Sequence, residues 1–175
     1  MVNEHDGIQL TELTVAENLE SLFRAHYGRL VRALTLVSGS QESAADAVQE
    51  AFVQAHLRWR RLQRYDDPIG WVRRVAINKL RDDHRRQGRK HRAIERLRSA
   101  TREESVDWSD GADAATLLAG LPRQQRLAMA LFYIDGLGVS EVAHTLGISD
   151  GAVKFHLNRG RERLRAVVAI QQESP

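Results

Sequence analysis

Apolar residues return every third or fourth position along most of the chain and do not alternate with polar ones for any length. That period predicts an all-α fold. Thr14 and Glu17 form a capping box, after which Leu19, Leu22, Phe23, Tyr27, Leu30, Leu34 and Val37 trace one face of a long first helix that Gly39 should stop. Residues 1–14 are then expected to be a tail. Ser43 can cap a second helix whose buried stripe is Val48, Phe52, Ala55 and Trp59, with Asp46, Gln49, Glu50 and Val53 outside it. Asp66-Asp67-Pro68 opens a third helix, because proline is tolerated in the first turn and carboxylates suit its positive end. Its inward residues are Ile69, Val72, Val75, Ala76 and Leu80, and the three helices together make a first module over 15–88.

Between Gly88 and Ala112 the periodicity gives way to charge, so 89–112 is expected to link two small helical domains flexibly, with its first part able to extend a helix through Ile94 and Leu97. A second module spans 113–169 and residues 170–175 form a tail. Pro122 opens a helix to about Ile134 with Leu127, Ala130, Leu131 and Ile134 inward, and Asp135-Gly136 ends it. From Val139 the pattern is that of a helix-turn-helix. Ala143 is small where two helices cross, Gly147 supplies a left-handed turn, and Val142, Leu146, Ile148, Val153 and Leu157 face inward. Ser140 and Ser149 are the expected caps of its two helices.

Charge sharpens this picture. The net +3 hides a block, residues 58–98, with 15 Lys and Arg against 5 Asp and Glu, flanked by acidic stretches. Such a block is the footprint of a polyanion-binding face. Within it Trp71, Arg74, Asn78, Arg81 and Arg85 are spaced by 3, 4, 3 and 4 and line the side of the third helix opposite its apolar stripe. Rings stack on unpaired bases while guanidinium groups follow phosphates, so this ridge suits melted nucleic acid. Trp59, Arg60, Arg61, Arg64 and Tyr65 add rings and cations just upstream, although Trp59 by itself reads as core. The second helix of the helix-turn-helix presents Lys154, Phe155, His156, Asn158, Arg159 and Arg161, a set able to reach phosphates and purine edges in a major groove.

The chain has no cysteine, which excludes disulfides, thiolate zinc sites and thiol redox sensing within it. No stretch approaches the roughly 20 apolar residues of a membrane span, so a cytoplasmic protein without membrane insertion is expected. No nucleophile constellation or phosphate-cradling glycine loop is visible, and Asp82, Asp83 and His84 diverge around a helix rather than converge on a metal. An enzyme, a metal, a cofactor and a small-molecule substrate are therefore not expected. An operator-binding repressor shares the second module and an adaptor protein shares the helices, but neither explains the basic aromatic ridge.

Two DNA-reading modules, one for melted strands and one for duplex, closely resemble the extracytoplasmic-function (ECF) sigma factors of the sigma-70 family. The resemblance rests on Asp46-Ala-Val-Gln49-Glu50-Ala-Phe52, on Pro68-Ile-Gly-Trp71 through Asp82, on Leu121-Pro122 with Arg126, and on the terminal helix-turn-helix. It implies that Asp46, Gln49, Glu50 and Val53 meet the clamp coiled coil of the RNA polymerase β′ subunit. It also implies that the loop Arg61–Asp67, with Arg61, Arg64, Tyr65 and Asp66, captures a flipped −10 base, and that Trp71, Arg74, Asn78, Arg81 and Arg85 contact the −10 element. Ser149, Lys154, Phe155, His156, Asn158, Arg159 and Arg161 would read the −35 duplex, while earlier helices of that module hold the β-subunit flap; Leu127, Leu131 and Tyr133 are poor single candidates for the latter. An anti-sigma factor, which can hold such a protein at the membrane, is a further expected partner. Promoter elements about 17 base pairs apart lie roughly 58 Å apart, a span that about 25 linker residues reach only when drawn out. Weak duplex binding by the free protein is expected, because nothing in the sequence holds the modules apart. Family members commonly carry Arg or Ser where Lys154, Phe155 and His156 stand, and Gly160 should weaken the recognition helix by about 1 kcal/mol relative to Ala.

Overall fold

The structure is a computed structural model that describes residues 4–97 and 118–173, with side chains placed for 18–86, 89 and 118–166. The helices among the described residues include α1 (Glu4–Ser38), α2 (Gln41–Leu57), α3 (Trp59–Leu62), α4 (Pro68–Leu97), α5 (Arg123–Tyr133), α6 (Val139–Leu146) and α7 (Asp150–Glu173). There is no strand among the described residues. The acidic run from Glu103 to Asp113 and most of the expected linker lie outside them, but the basic first part of that stretch continues α4 to Leu97.

Several helix ends differ from the sequence pattern. α1 starts at Glu4 rather than at the Thr14 cap, so most of the expected tail is helical. A capping box ends a helix only where the residues before it resist the helix, and Ile8–Leu13 contains neither proline nor glycine. Gly39, at φ +74°, stops α1 as expected. The cap of α2 is Ser40, whose Oγ accepts the amide N–H of Ser43, so Ser43 is the recipient and not the cap. Asp67 caps α4, its Oδ1 accepting from the Gly70 amide at 2.8 Å. A Cβ on Gly70 would fall 1.7 Å from that carboxylate, so the cap depends on the glycine. In α6 the expected Ser140 cap is replaced by Gly138, whose amide donates to Glu141 at 2.7 Å, while Ser140 Oγ donates to Asp150. Gly147 takes the left-handed turn at φ +67°, and Ser149 caps α7 by accepting from the Ala152 amide at 3.2 Å.

Helices α1, α2 and α4 enclose the first core, in which Leu30, Leu34, Val48 and Val72 are fully buried. Leu131, Val142 and Val153 do the same where α5, α6 and α7 meet. Each such side chain contributes about 1.5–3 kcal/mol relative to its exposed state. Trp59 is buried, as its place on the α2 stripe requires, whereas Phe23 from the α1 stripe remains partly exposed.

The two modules pack against each other, α5 on α1 and α6 on α4, which a flexible connection alone does not suggest. Two side chains tie the seam. Arg126 of α5 donates to the Val37 carbonyl at 3.0 Å, supplying a donor to the C-terminal end of α1, and also to the Ala119 and Leu121 carbonyls at 2.8 and 3.0 Å. Arg73 of α4 donates its Nε–H to Asp135 Oδ2 at 2.6 Å, and both side chains are almost completely buried.

Candidate nucleic-acid interfaces

The basic aromatic ridge of the sequence forms one face of α4. Trp71 and Arg74 are half-buried, and Asn78, Arg81 and Arg85 are exposed. The Arg58 guanidinium lies over the Trp71 ring, 6.0 Å from its centroid, and holds that ring by a cation–π contact. Arg58 is a ridge residue that the 3–4 spacing does not single out, because it belongs to the chain before α3. Its own place is set by Gln54, whose Oε1 accepts from Arg58 at 3.0 Å and whose Nε2 donates to Glu50 at 3.0 Å. Arg61 on α3, and Arg64, Tyr65 and Asp66 in the loop before α4, are all exposed and cluster beside the start of the ridge. Helix α3 itself is one short turn pinned by buried Trp59 and Leu62, so the loop leaves a fixed point.

Positive charge collects at the other end of the ridge. Arg123 faces Arg81, Arg85 and Arg126, and burial first, then these three guanidinium groups, push it below the ordinary arginine range. Burial does the same to Arg126. A cavity of about 270 Å³ lies there, bounded by Arg74, Asn78 and Arg81 on one side and by Arg123, His144 and Gly147 on the other.

On α7, Lys154, Phe155, Asn158, Arg159 and Arg161 point into solvent, and Phe155 is 54% exposed. Arg159 sits over the Phe155 ring at 5.7 Å and pairs with Glu162 at 3.1 Å. Arg161 bonds back to Asn158 and to the Leu157 carbonyl, so these two side chains shape each other. His156 departs from the expected outward set: it is half-buried, and its Nδ1 is shielded without a partner. Ser149 is exposed, although its hydroxyl serves as the α7 cap. Gly160, read from sequence only as a weak point, is buried against α5, where a Cβ would lie 2.9 Å from Met129 Cγ.

A third surface lies on α2. Asp46, Gln49, Glu50 and Val53 are all exposed and follow one another along the helix, with Lys79 and Asp83 of α4 at the margin. Gln49 and Val53 also edge an apolar groove of about 710 Å³ floored by Leu19, Phe23, Tyr27 and Phe52. Phe23 and Tyr27 stack at 4.6 Å and Phe52 meets Phe23 edge-on at 5.0 Å. The sequence pattern places these rings in the core stripe, which hides their part in the surface. Among the described residues no three His, Cys, Asp or Glu side chains converge as a metal site, and no helix is long and apolar enough to cross a membrane.

Comparison with known proteins agrees with this division. Residues 22–90 match the family model for sigma-70 region 2, and residues 112–164 match that for sigma-70 region 4. The chain is 33% identical over 148 residues to the ECF RNA polymerase sigma factor SigM of Mycobacterium tuberculosis, covering 83% of this chain and 74% of that protein. It is 32% identical over 160 residues to the ECF RNA polymerase sigma factor SigE of Mycolicibacterium smegmatis, covering 86% of this chain but 61% of SigE. Among solved structures, CnrH in complex with the cytosolic domain of CnrY is similar with a TM-score of 0.62 and 26% identity, over 91% of each chain. The sigma factor RpoE in complex with the anti-sigma factor NepR from Bartonella quintana shares the fold, with a TM-score of 0.73 at 19% identity over 88% of this chain and 98% of that one. The chain belongs to the ECF RNA polymerase sigma factor family.

Proposed function

We propose that this protein is an alternative sigma factor that binds core RNA polymerase, recognises paired −10 and −35 promoter elements, helps melt the DNA between them and the start site, and so initiates transcription of a specific set of genes. The observation that carries the reading is the coexistence, on one chain, of a ring-and-guanidinium ridge on α4 and an outward basic face on the second helix of a helix-turn-helix. In this reading residues 15–88, extended by the rest of α4, act at the clamp and the −10 element, and 113–169 act at the −35 element.

The chemistry divides by surface. Flipping a base costs a few kcal/mol of stacking, which rings must replace. Trp71, held by Arg58, and exposed Tyr65 offer such rings, while Arg61, Arg64, Arg74, Arg81 and Arg85 take phosphates and Asn78 and Asp66 offer base-edge contacts. Phe155, Lys154, Asn158, Arg159 and Arg161 enter the −35 major groove, with Ser149 and the N-terminus of α7 at the backbone and His156 supporting Phe155 from the side. Asp46, Gln49, Glu50 and Val53 form the polymerase clamp surface, and the second module meets the flap through its earlier helices, where Tyr133 is exposed. The similar sigma factor RpoE is in complex with the anti-sigma factor NepR, and the similar CnrH with the cytosolic domain of CnrY, which supports a protein partner of the anti-sigma kind for this chain as well. A cytoplasmic site, with the chain held at the membrane only through such a partner, fits this role.

Footprinting on a cognate promoter with reconstituted holoenzyme tests the division. Permanganate reactivity of −10 thymines should appear with the wild-type chain and disappear with Trp71→Ala, while −35 protection persists. Strong, sequence-specific protection by the chain without polymerase would contradict the reading and favour an operator-binding regulator.

A further inference from the structure

The seam between the modules has a structure that the DNA-reading roles do not call for. The α6 end and its turn, His144 to Gly147, share one cavity with Arg74, Asn78 and Arg81, so the second module lies over the part of α4 assigned to the −10 strand. A helix-turn-helix in contact with that ridge cannot at the same time occupy a duplex element roughly 58 Å further along the promoter. The seam also carries like charges on both sides, Arg81 and Arg85 on α4 against Arg123 and Arg126 on α5. Packing cations together at a half-buried seam opposes closure, and something must offset it.

The offsetting contact is visible. Arg73 and Asp135 are 7% and 1% exposed at their side chains and meet at 2.6 Å across 62 residues of sequence. Neither residue belongs to a DNA or polymerase surface. Asp135 follows α5 and faces the first module, and among the described side chains of α4 Arg73 is the buried cation, between Val72 and Arg74. A desolvated pair of this kind is strongly directional, since removing one partner leaves the other as an uncompensated buried charge.

We propose that the Arg73–Asp135 pair is a latch that holds the free chain closed over its own −10 face, and that promoter binding requires it to open. This inference rests on the assignment of Arg74, Asn78 and Arg81 to the −10 strand, but its main test needs neither DNA nor polymerase. Because the chain has no cysteine, spin labels on Glu42→Cys and Arg163→Cys report the separation of the modules alone. The free wild-type chain should give one narrow distance population, and Asp135→Asn a broad distribution shifted to longer distances. Arg73→Gln, which leaves the Asp135 carboxylate buried without its partner, should also open the chain, whereas the apolar swap Arg73→Met with Asp135→Leu, which leaves no buried charge, should stay closed, and circular dichroism checks that each variant keeps its helices. Affinity of the free chain for a single-stranded −10 oligonucleotide should rise about tenfold in the opened variants, equivalent to about 1.4 kcal/mol.

Broad distances in the free wild-type chain would overturn the proposal, and so would Asp135→Asn and Arg73→Gln chains that fold and stay closed, since packing and not the ion pair would then hold the modules. If Asp135→Asn fails to fold, the wild-type and Arg73→Gln distances still decide the matter. Opening without any gain in oligonucleotide binding would leave the latch standing and instead remove the −10 assignment of the ridge.

Discussion

Gly160 of α7 and Met129 of α5 approach closely, one contact among several between α7 and the rest of its module. Helix propensity alone favours alanine at an interior position by about 1 kcal/mol. The added Cβ would meet Met129 Cγ at 2.9 Å and Sδ at 3.0 Å, and overpacking of a well-filled core costs about 1–3 kcal/mol. Gly160→Ala is therefore expected to lower Tm rather than raise it, with a net loss of about 1 kcal/mol. In a Met129→Ala background the same substitution should be neutral or stabilising. A higher Tm for the single variant would show that the contact relaxes freely.

Arg126 draws three backbone carbonyls from two segments onto one guanidinium. Replacing it by Met keeps much of the stem but leaves those acceptors short of a donor, at about 1–3 kcal/mol for such a loss. The urea midpoint should fall by a corresponding amount. Arg126→Lys should recover less than half of it, because a single ammonium cannot match the planar fork. Full recovery by lysine would mean that charge near the α1 C-terminus, not the fork, is what matters.

These two cases show what the sequence makes legible. The helical period, the buried stripe of α2, the Gly39 stop, the Gly147 turn and the Ser149 cap are local, and local pattern states them. The exposure of Asp46, Gln49, Glu50 and Val53 outside the buried stripe of α2 is legible for the same reason. Contacts across the seam are not: Asp135 reads as a turn residue and Arg73 as one more cation in a basic block, and only tertiary packing makes them partners. Gly160 reads as a defect for the same cause, since the residue it accommodates is 31 positions away. The Ser40 cap and the helical start at Glu4 show the smaller error of choosing among adjacent candidates when several residues can serve.

DNA contacts should separate from stability. Trp71→Ala is expected to weaken binding of the melted −10 strand by about 1–3 kcal/mol, the range of one base–aromatic stack. Lys154→Ala should lower duplex −35 affinity in the holoenzyme and reduce the slope of log affinity against log salt by about 0.9. Lys154 is exposed, so its removal should leave the urea midpoint unchanged within about 0.5 kcal/mol. An unaltered salt slope would take Lys154 off the phosphate backbone.

His26 gives the fold a pH dependence. Burial first, then Arg73 and Arg29, lower its pKa from 6.5, against the opposing pull of Asp135 and Asp67. A histidine whose folded pKa is depressed binds fewer protons folded than unfolded, so its full contribution is present above pH 6.5 and is lost as the pH falls below that value. Stability measured by urea should therefore decline on acidification from pH 7 to pH 5.5 more steeply in the wild type than in His26→Gln. Equal slopes in the two chains would show that His26 does not carry the effect.

In the proposed function, this chain directs core polymerase to promoters through two modules. Run-off transcription with purified bacterial core polymerase on a pooled promoter library, with and without the chain, followed by sequencing of the starts, measures it directly. A sigma factor gives starts that appear only when the chain is added and that share paired −10 and −35 motifs at a fixed spacing. No new starts, together with sequence-specific DNA binding by the chain alone, would contradict that role.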